Sequence, residues 1–138
     1  MKNNIVLDVA CSDGVTAVVV SHKGSPVEKA VFKTKDDQQY IALLRGYEKG
    51  VLLLKSYIES NSDIDSDVFI VTNNKALFSW FKRGFAVNYT DLFNSVIRTV
   101  QQIPAKVSYD WSSDLYAKHF AKKSLIDQPK LTGIDDWD

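Results

Sequence analysis

The chain has 138 residues, 45% of them apolar, which is enough for one ordinary domain with its own core and too few for two. Its 17 basic and 17 acidic residues cancel, so no overall field draws it to DNA or a membrane, and affinity for a polyanion has to come from a local patch. One cysteine and two histidines exclude a disulfide framework, a cysteine-rich zinc site and a histidine-based metal centre.

Met1-Lys2-Asn3-Asn4 runs directly into Ile5-Val6-Leu7-Asp8, an apolar run too short for a signal peptide or a membrane span, so a cytoplasmic or nucleoplasmic location is expected. Ile5 to Ala10 and Val15 to Ser21 are β-branched runs separated by Cys11-Ser12-Asp13-Gly14, whose Asp-Gly pair signals a hairpin. Val27 to Thr34 alternates apolar and polar side chains and reads as a third strand. From Gln38 to Ser60 the set Tyr40, Leu44, Tyr47, Val51, Leu54, Ile58 steps by four and three residues, the period of one helical face. Gly46 and Gly50 inside it each cost about 1 kcal/mol relative to Ala, which points to close packing on a neighbour.

Val68 to Val71 is a short continuous apolar run of the kind found in a buried strand, ended by Thr72-Asn73-Asn74. Helices are expected over Lys75 to Lys82 and Thr90 to Ile103, a strand over Lys106 to Trp111, and a last helix over Ser113 to Leu125. The resulting order, βββαβααβα, is that of a mixed α/β sheet with helices packed on its faces. Residues 1–126 form the domain, and the aperiodic segment from Asp127 to Asp138 is expected to be a flexible acidic tail.

Local sequence then carries a resemblance. Asp8-Val9-Ala10-Cys11-Ser12-Asp13-Gly14-Val15-Thr16-Ala17-Val18-Val19 resembles the first hairpin of retroelement-type ribonuclease H domains, where an aspartate in strand one is the first metal ligand. Gln38-Gln39-Tyr40-Ile41-Ala42-Leu43-Leu44-Arg45-Gly46 is similar to the long first helix of that family, with Gln39 where a catalytic glutamate normally stands. Val68-Phe69-Ile70-Val71-Thr72-Asn73-Asn74-Lys75 resembles its fourth strand, with Asn73 at the place of a catalytic aspartate. Ser113-Asp114-Leu115-Tyr116-Ala117-Lys118 is similar to the last helix, where Asp114 takes the role of the final acid. The resemblance runs in order from Ile5 to Leu125, although the loop before Asp114 lacks the histidine-bearing insertion of many members. It implies a ribonuclease H-like mixed five-stranded sheet with helices on both faces.

In such a family, acids from different elements hold two Mg²⁺ ions that activate water and stabilise the departing oxygen of a phosphodiester. Here Asp8 and Asp114 are kept, and Gln39 and Asn73 are neutral. Mg²⁺ or Mn²⁺, held weakly by Asp8 and Asp114, is the cofactor that the resemblance implies, because amide oxygens lack the charge that offsets dehydration of a hard cation. Glu48 lies nine residues beyond Gln39 and hence on the opposite side of the helix, whereas Asp13 and Asp36 reach the site only if the backbone there bends inward. Glu to Gln and Asp to Asn are also the changes an experimenter makes to trap a substrate, and the sequence does not separate design from natural loss.

Asp8 in an apolar strand has to be paired, hydrogen-bonded or on a metal, or else cap a turn. Asp114 at a helix start is also favoured there by the helix dipole alone. Lys75, Trp80, Lys82 and Arg83 mix aromatic and basic side chains where family members contact the DNA strand of a hybrid, and Lys118, Lys122 and Lys123 form a second basic stripe. Solvated charge on amphipathic helices is the simpler account of both patterns. Cys11 reads as a small buried hydrophobe. Asp135-Asp136-Trp137-Asp138 has the acidic and aromatic character of a partner-docking tail.

Three functions are therefore open. The leading one is a catalytically weak or inactive ribonuclease H-like protein that binds nucleic acid, such as an RNA–DNA hybrid, or a replication or transcription partner. The alternative is an active Mg²⁺- or Mn²⁺-dependent ribonuclease that cleaves RNA in RNA–DNA hybrids. The third is an interaction domain with no nucleic-acid role.

Overall fold

The computed structural model describes residues 4–12, 14–34, 39–61, 66–119 and 136–137. Strands β1 (Ile5–Ser12), β2 (Val15–His22) and β3 (Ser25–Thr34) form an antiparallel meander, followed by helix α1 (Gln39–Ser60), strand β4 (Val68–Thr72), helices α2 (Lys75–Arg83) and α3 (Thr90–Val100), and strand β5 (Val107–Trp111). β4 pairs in parallel with both β1 and β5, which gives the mixed order β3-β2-β1-β4-β5. Residues 116–119 begin a further helix, and a two-residue strand β6 (Asp136–Trp137) lies parallel to β3 on the sheet edge.

The first two hairpins are set by left-handed positions. Ser12 pairs with Val15, with Gly14 at φ 79° in the turn between them. His22 pairs with Ser25 around Lys23 and Gly24, both at positive φ, the conformation of a two-residue hairpin turn. β3 therefore starts at Ser25, earlier than its alternation suggests. Pro26 fits there because, among the described residues, no strand pairs with β3 beside it on the outer side, and the register shifts at Val20/Ser21.

Alternation along β1 divides the core. Ile5, Leu7 and Val9 face α1 together with Val18 and Val20, and this larger core also takes Leu77, Phe81, Phe93 and Val96 from α2 and α3. Ala10, Ala17, Val19 and Val71 face the other side and pack on Leu115 and Ala117. Helices thus cover both faces. The two glycines of α1 explain how close that helix lies: a Cβ on Gly46 would collide with Val9 Cγ1, and one on Gly50 would stand 2.5 Å from Leu7 Cδ1.

Helix α2 opens on Asn74, whose side chain accepts the Leu77 N–H at 3.0 Å, and closes on Gly84 in the left-handed conformation. The last helix departs from expectation at its start. Asp114 precedes the helical residues and is exposed, so it does not occupy the first turn as its sequence position suggests.

Candidate functional site

Asp8 lies on the face of β1 that points away from α1, beside Val19 and Val71 in register, and is 3% exposed. A carboxylate so placed requires partners. They come from the last helix: Tyr116 N–H donates to Oδ2 at 3.0 Å and Ala117 N–H donates to Oδ1 at 2.8 Å. Both oxygens thus meet free N–H groups of a helix N-terminus, the role ordinarily filled by a residue just before the helix. Burial nevertheless pushes the Asp8 carboxyl up to about 6, against the lowering pull of those two N–H groups; Asp114 adds to the rise and His119 opposes it.

Asp114 sits at the rim of the same helix start. Its side chain is 87% exposed and reaches His119 Nε2 at 3.0 Å, while its backbone N–H donates to Ser112 Oγ. The structure therefore brings Asp8 and Asp114 to one place. Gln39 opens α1 on the opposite face of the sheet from the Asp8 carboxylate, nearly two turns before Gly46, and is exposed. Asn73 is exposed directly after β4. Among the described residues neither hydrogen-bonds Asp8 or Asp114, and no group of three or more His, Cys, Asp or Glu side chains converges. Asp13 and Asp36 lie outside the described residues, as does Lys122.

Beneath the site Tyr47 is fully buried, and its hydroxyl donates to the Val71 carbonyl at 2.6 Å, tying α1 to β4. Burial raises its phenol far above the ordinary range. Cys11, beside Thr16 at 3.1 Å, is pushed by burial to about 11 and so stays a thiol.

The basic and aromatic residues of α2 separate. Trp80 is buried against Tyr40 and Phe93 and offers no free ring face. Lys82 lies over Phe78, and the Arg83 guanidinium lies 4.4 Å from the centre of the Phe85 ring, with Phe85 and Val87 both exposed beyond the Gly84 cap. Lys75 stands over Trp111, which ends β5 and is 39% exposed. Trp111 is the surface aromatic that sequence reasoning passes over; its signal is position, as the final residue of an edge strand next to Ser112-Ser113-Asp114. Lys118 is exposed. The pairing of Asp136 with Lys33 and Trp137 with Thr34 holds the backbone of the tail motif on β3, and Asp135 and Asp138 lie outside the described residues.

No helix of the described residues is long and apolar enough to cross a membrane. No family model matches the sequence, and no curated protein does either. Solved structures do match. LC11-RNase H1 in complex with an RNA/DNA hybrid superposes with a TM-score of 0.71 at 11% identity, covering 94% of this chain and 100% of that one. The N-terminal ribonuclease H domain of a Mycobacterium tuberculosis protein, solved as a fusion with maltose-binding protein, gives 0.67 at 13% identity over 93% and 97%. RNase H1 from the halophilic archaeon Halobacterium salinarum gives 0.58 at 11% over 92% and 99%. With the mixed 3-2-1-4-5 sheet and helices on both faces, these matches show that the chain has the ribonuclease H-like fold.

Proposed function

We propose that this chain is a nucleic-acid-recognising protein of ribonuclease H-like fold whose metal centre is depleted, so that it binds without efficient cleavage. The observation that carries this reading is the state of Asp8: it is 3% exposed, and each of its oxygens already accepts an N–H, from Tyr116 and from Ala117. Gln39 and Asn73 supply only neutral amides, and the charge that acts on Asp8 from the start of the last helix is that of the exposed Asp114. Two Mg²⁺ or Mn²⁺ ions bring four positive charges, and this donor set does not fit them.

An RNA–DNA hybrid is the ligand class we infer, because the solved structure matched over 94% of this chain was captured on one. Lys75, Lys82 and Arg83 on α2, and Lys118 on the last helix, supply the positive charge that a phosphate backbone requires. A protein partner that engages Asp136 and Trp137 would have to displace or extend their pairing with β3.

The test is cleavage of a labelled RNA–DNA hybrid with Mg²⁺ or Mn²⁺, with binding followed in parallel, for the native chain and for a variant carrying Gln39→Glu and Asn73→Asp. Binding by both proteins, with no cleavage by the native chain, is the expected result. Cleavage by the native chain that Asp8→Asn abolishes would overturn the reading and establish an active metal-dependent ribonuclease. Absence of binding by either protein would remove the nucleic-acid role.

A further inference from the structure

The two ends of α2 differ in how their aromatic side chains are used. At its C-terminal end Arg83 covers Phe85 closely and also donates its Nε–H to the Phe85 carbonyl at 3.2 Å, so this cation and this ring satisfy each other. At its N-terminal end the contact is looser: Lys75 Nζ stands 5.8 Å from the centre of the Trp111 ring. Among the described residues Lys75 has no carboxylate partner. Trp111 ends an edge strand and is 39% exposed, so part of its indole is open to solvent at the margin of the sheet.

The surroundings place this pair at the same end of the sheet as the candidate site, on the opposite face from the Asp8 carboxylate. Trp111 is in register with Thr72, and the Ser112 N–H donates to the Thr72 carbonyl at 3.0 Å. Asn73 and Lys75 therefore follow from one strand end and Asp114 from its neighbour. The nearest acid on the strand is turned away: Asp110 is in register with Val71, on the Asp8 face, and its carboxylate accepts the Trp111 N–H at 2.8 Å.

We propose that Trp111 and Lys75 form a subsite for one unpaired base and its adjoining phosphate, so that the nucleic acid this chain recognises carries a single-stranded segment there. The inference rests on the nucleic-acid reading above and narrows it. Bases inside a duplex are stacked on one another and show no free face, whereas an unpaired base lies flat on an indole whatever its identity. An ammonium already held at the ring is close enough to reach the phosphate of the same nucleotide, and among the described residues Lys75 has no ion pair to give up on doing so.

The experiment measures binding, by anisotropy, to a blunt RNA–DNA hybrid, the same hybrid with a single-stranded overhang, and the isolated strands. Native chain, Trp111→Ala, Trp111→Phe and Lys75→Ala are compared, with circular dichroism to verify folding. The native chain is expected to prefer the overhang to the blunt end, and Trp111→Ala to lose about 5- to 100-fold on the overhang alone. Trp111→Phe should retain part of that preference. Lys75→Ala should reduce the slope of log affinity against log salt by about 0.7 on single strands. Equal native affinity for blunt and overhang ligands, or a folded Trp111→Ala that binds every ligand as the native chain does, would overturn the subsite while leaving hybrid recognition in place. Absence of binding by the native chain to every ligand would overturn both.

Discussion

Replacing Asp8 by asparagine keeps the outline of the side chain and removes its charge. In the native chain burial raises this carboxyl from 3.8 to about 6. Between those values the folded chain holds the proton more tightly than the unfolded one, so stability falls as pH rises from about 4 to about 6 and stays lowered above that. The rise corresponds to roughly 3 kcal/mol. At pH 4 the protonated carboxyl still has two oxygens that can accept the Tyr116 and Ala117 N–H groups, whereas the amide offers one and turns an NH2 toward the other, so the variant should be the less stable by about 1 to 3 kcal/mol. At pH 7 only the native chain carries a buried charge, and the difference should have moved in favour of Asp8→Asn by roughly 3 kcal/mol relative to pH 4. Urea unfolding at the two pH values measures the change directly. A stability difference that does not move with pH, or one that turns against the variant as pH rises, would refute the burial argument. Mg²⁺ adds a second arm: if Asp8 held a metal, millimolar Mg²⁺ would stabilise the native chain and not the variant, whereas a carboxylate engaged by Tyr116 and Ala117 leaves both unchanged.

Other perturbations test the frame around the site. Gly46→Ala gains about 1 kcal/mol of helix propensity, but its Cβ meets Val9 Cγ1 and lies 3.0 Å from Thr16 Cγ2; overpacking of about 1 to 3 kcal/mol should cancel or outweigh the gain and lower the melting temperature. Asn74→Ala removes the acceptor for the Leu77 N–H and should cost about 1 kcal/mol in denaturant unfolding, with the start of α2 less protected in hydrogen exchange. Tyr47→Phe leaves the Val71 carbonyl without its 2.6 Å bond inside the core, for a loss of about 1 to 3 kcal/mol.

The fold was legible in the sequence wherever one physical rule acted alone. The four-and-three spacing from Tyr40 to Ile58 marks α1 because a single face of that helix is buried, with Tyr47, Val51, Leu54 and Ile58 all in the core. Asn74 and Gly84 bound α2 through their own caps. Pattern failed where two rules competed. The start of β3 was obscured because Lys23 and Gly24 turn the chain in two residues while Pro26 and the bulge interrupt alternation. Trp80 looks like part of a basic, aromatic surface in sequence, yet helical rotation puts Lys82 and Arg83 in solvent and the indole in the core between them. The link between Asp8 and residues 116 and 117 spans more than a hundred positions, and no local signal announces it.

That long-range link also explains how a buried acid survives beside neutral neighbours. A carboxylate in the middle of an apolar strand needs positive charge or donors, and in a metal centre a cation meets that need. Here the positive end of a helix meets it, through two N–H groups at 3.0 and 2.8 Å aimed at the two oxygens. Asp8 is then held by the fold itself, and negative charge at positions 39 and 73 has no cation to offset it. Glutamine and asparagine are compatible with that arrangement, since Gln39 opens α1 in solvent and Asn73 is exposed at the end of β4. Acids restored at those positions would add two exposed negative charges, while each Asp8 oxygen already accepts an N–H. If metal binding is recovered at the expense of these bonds, the last helix releases Asp8, and a loss of hydrogen-exchange protection at Tyr116 and Ala117 on adding Mn²⁺ to the Gln39→Glu, Asn73→Asp protein is the signature to look for.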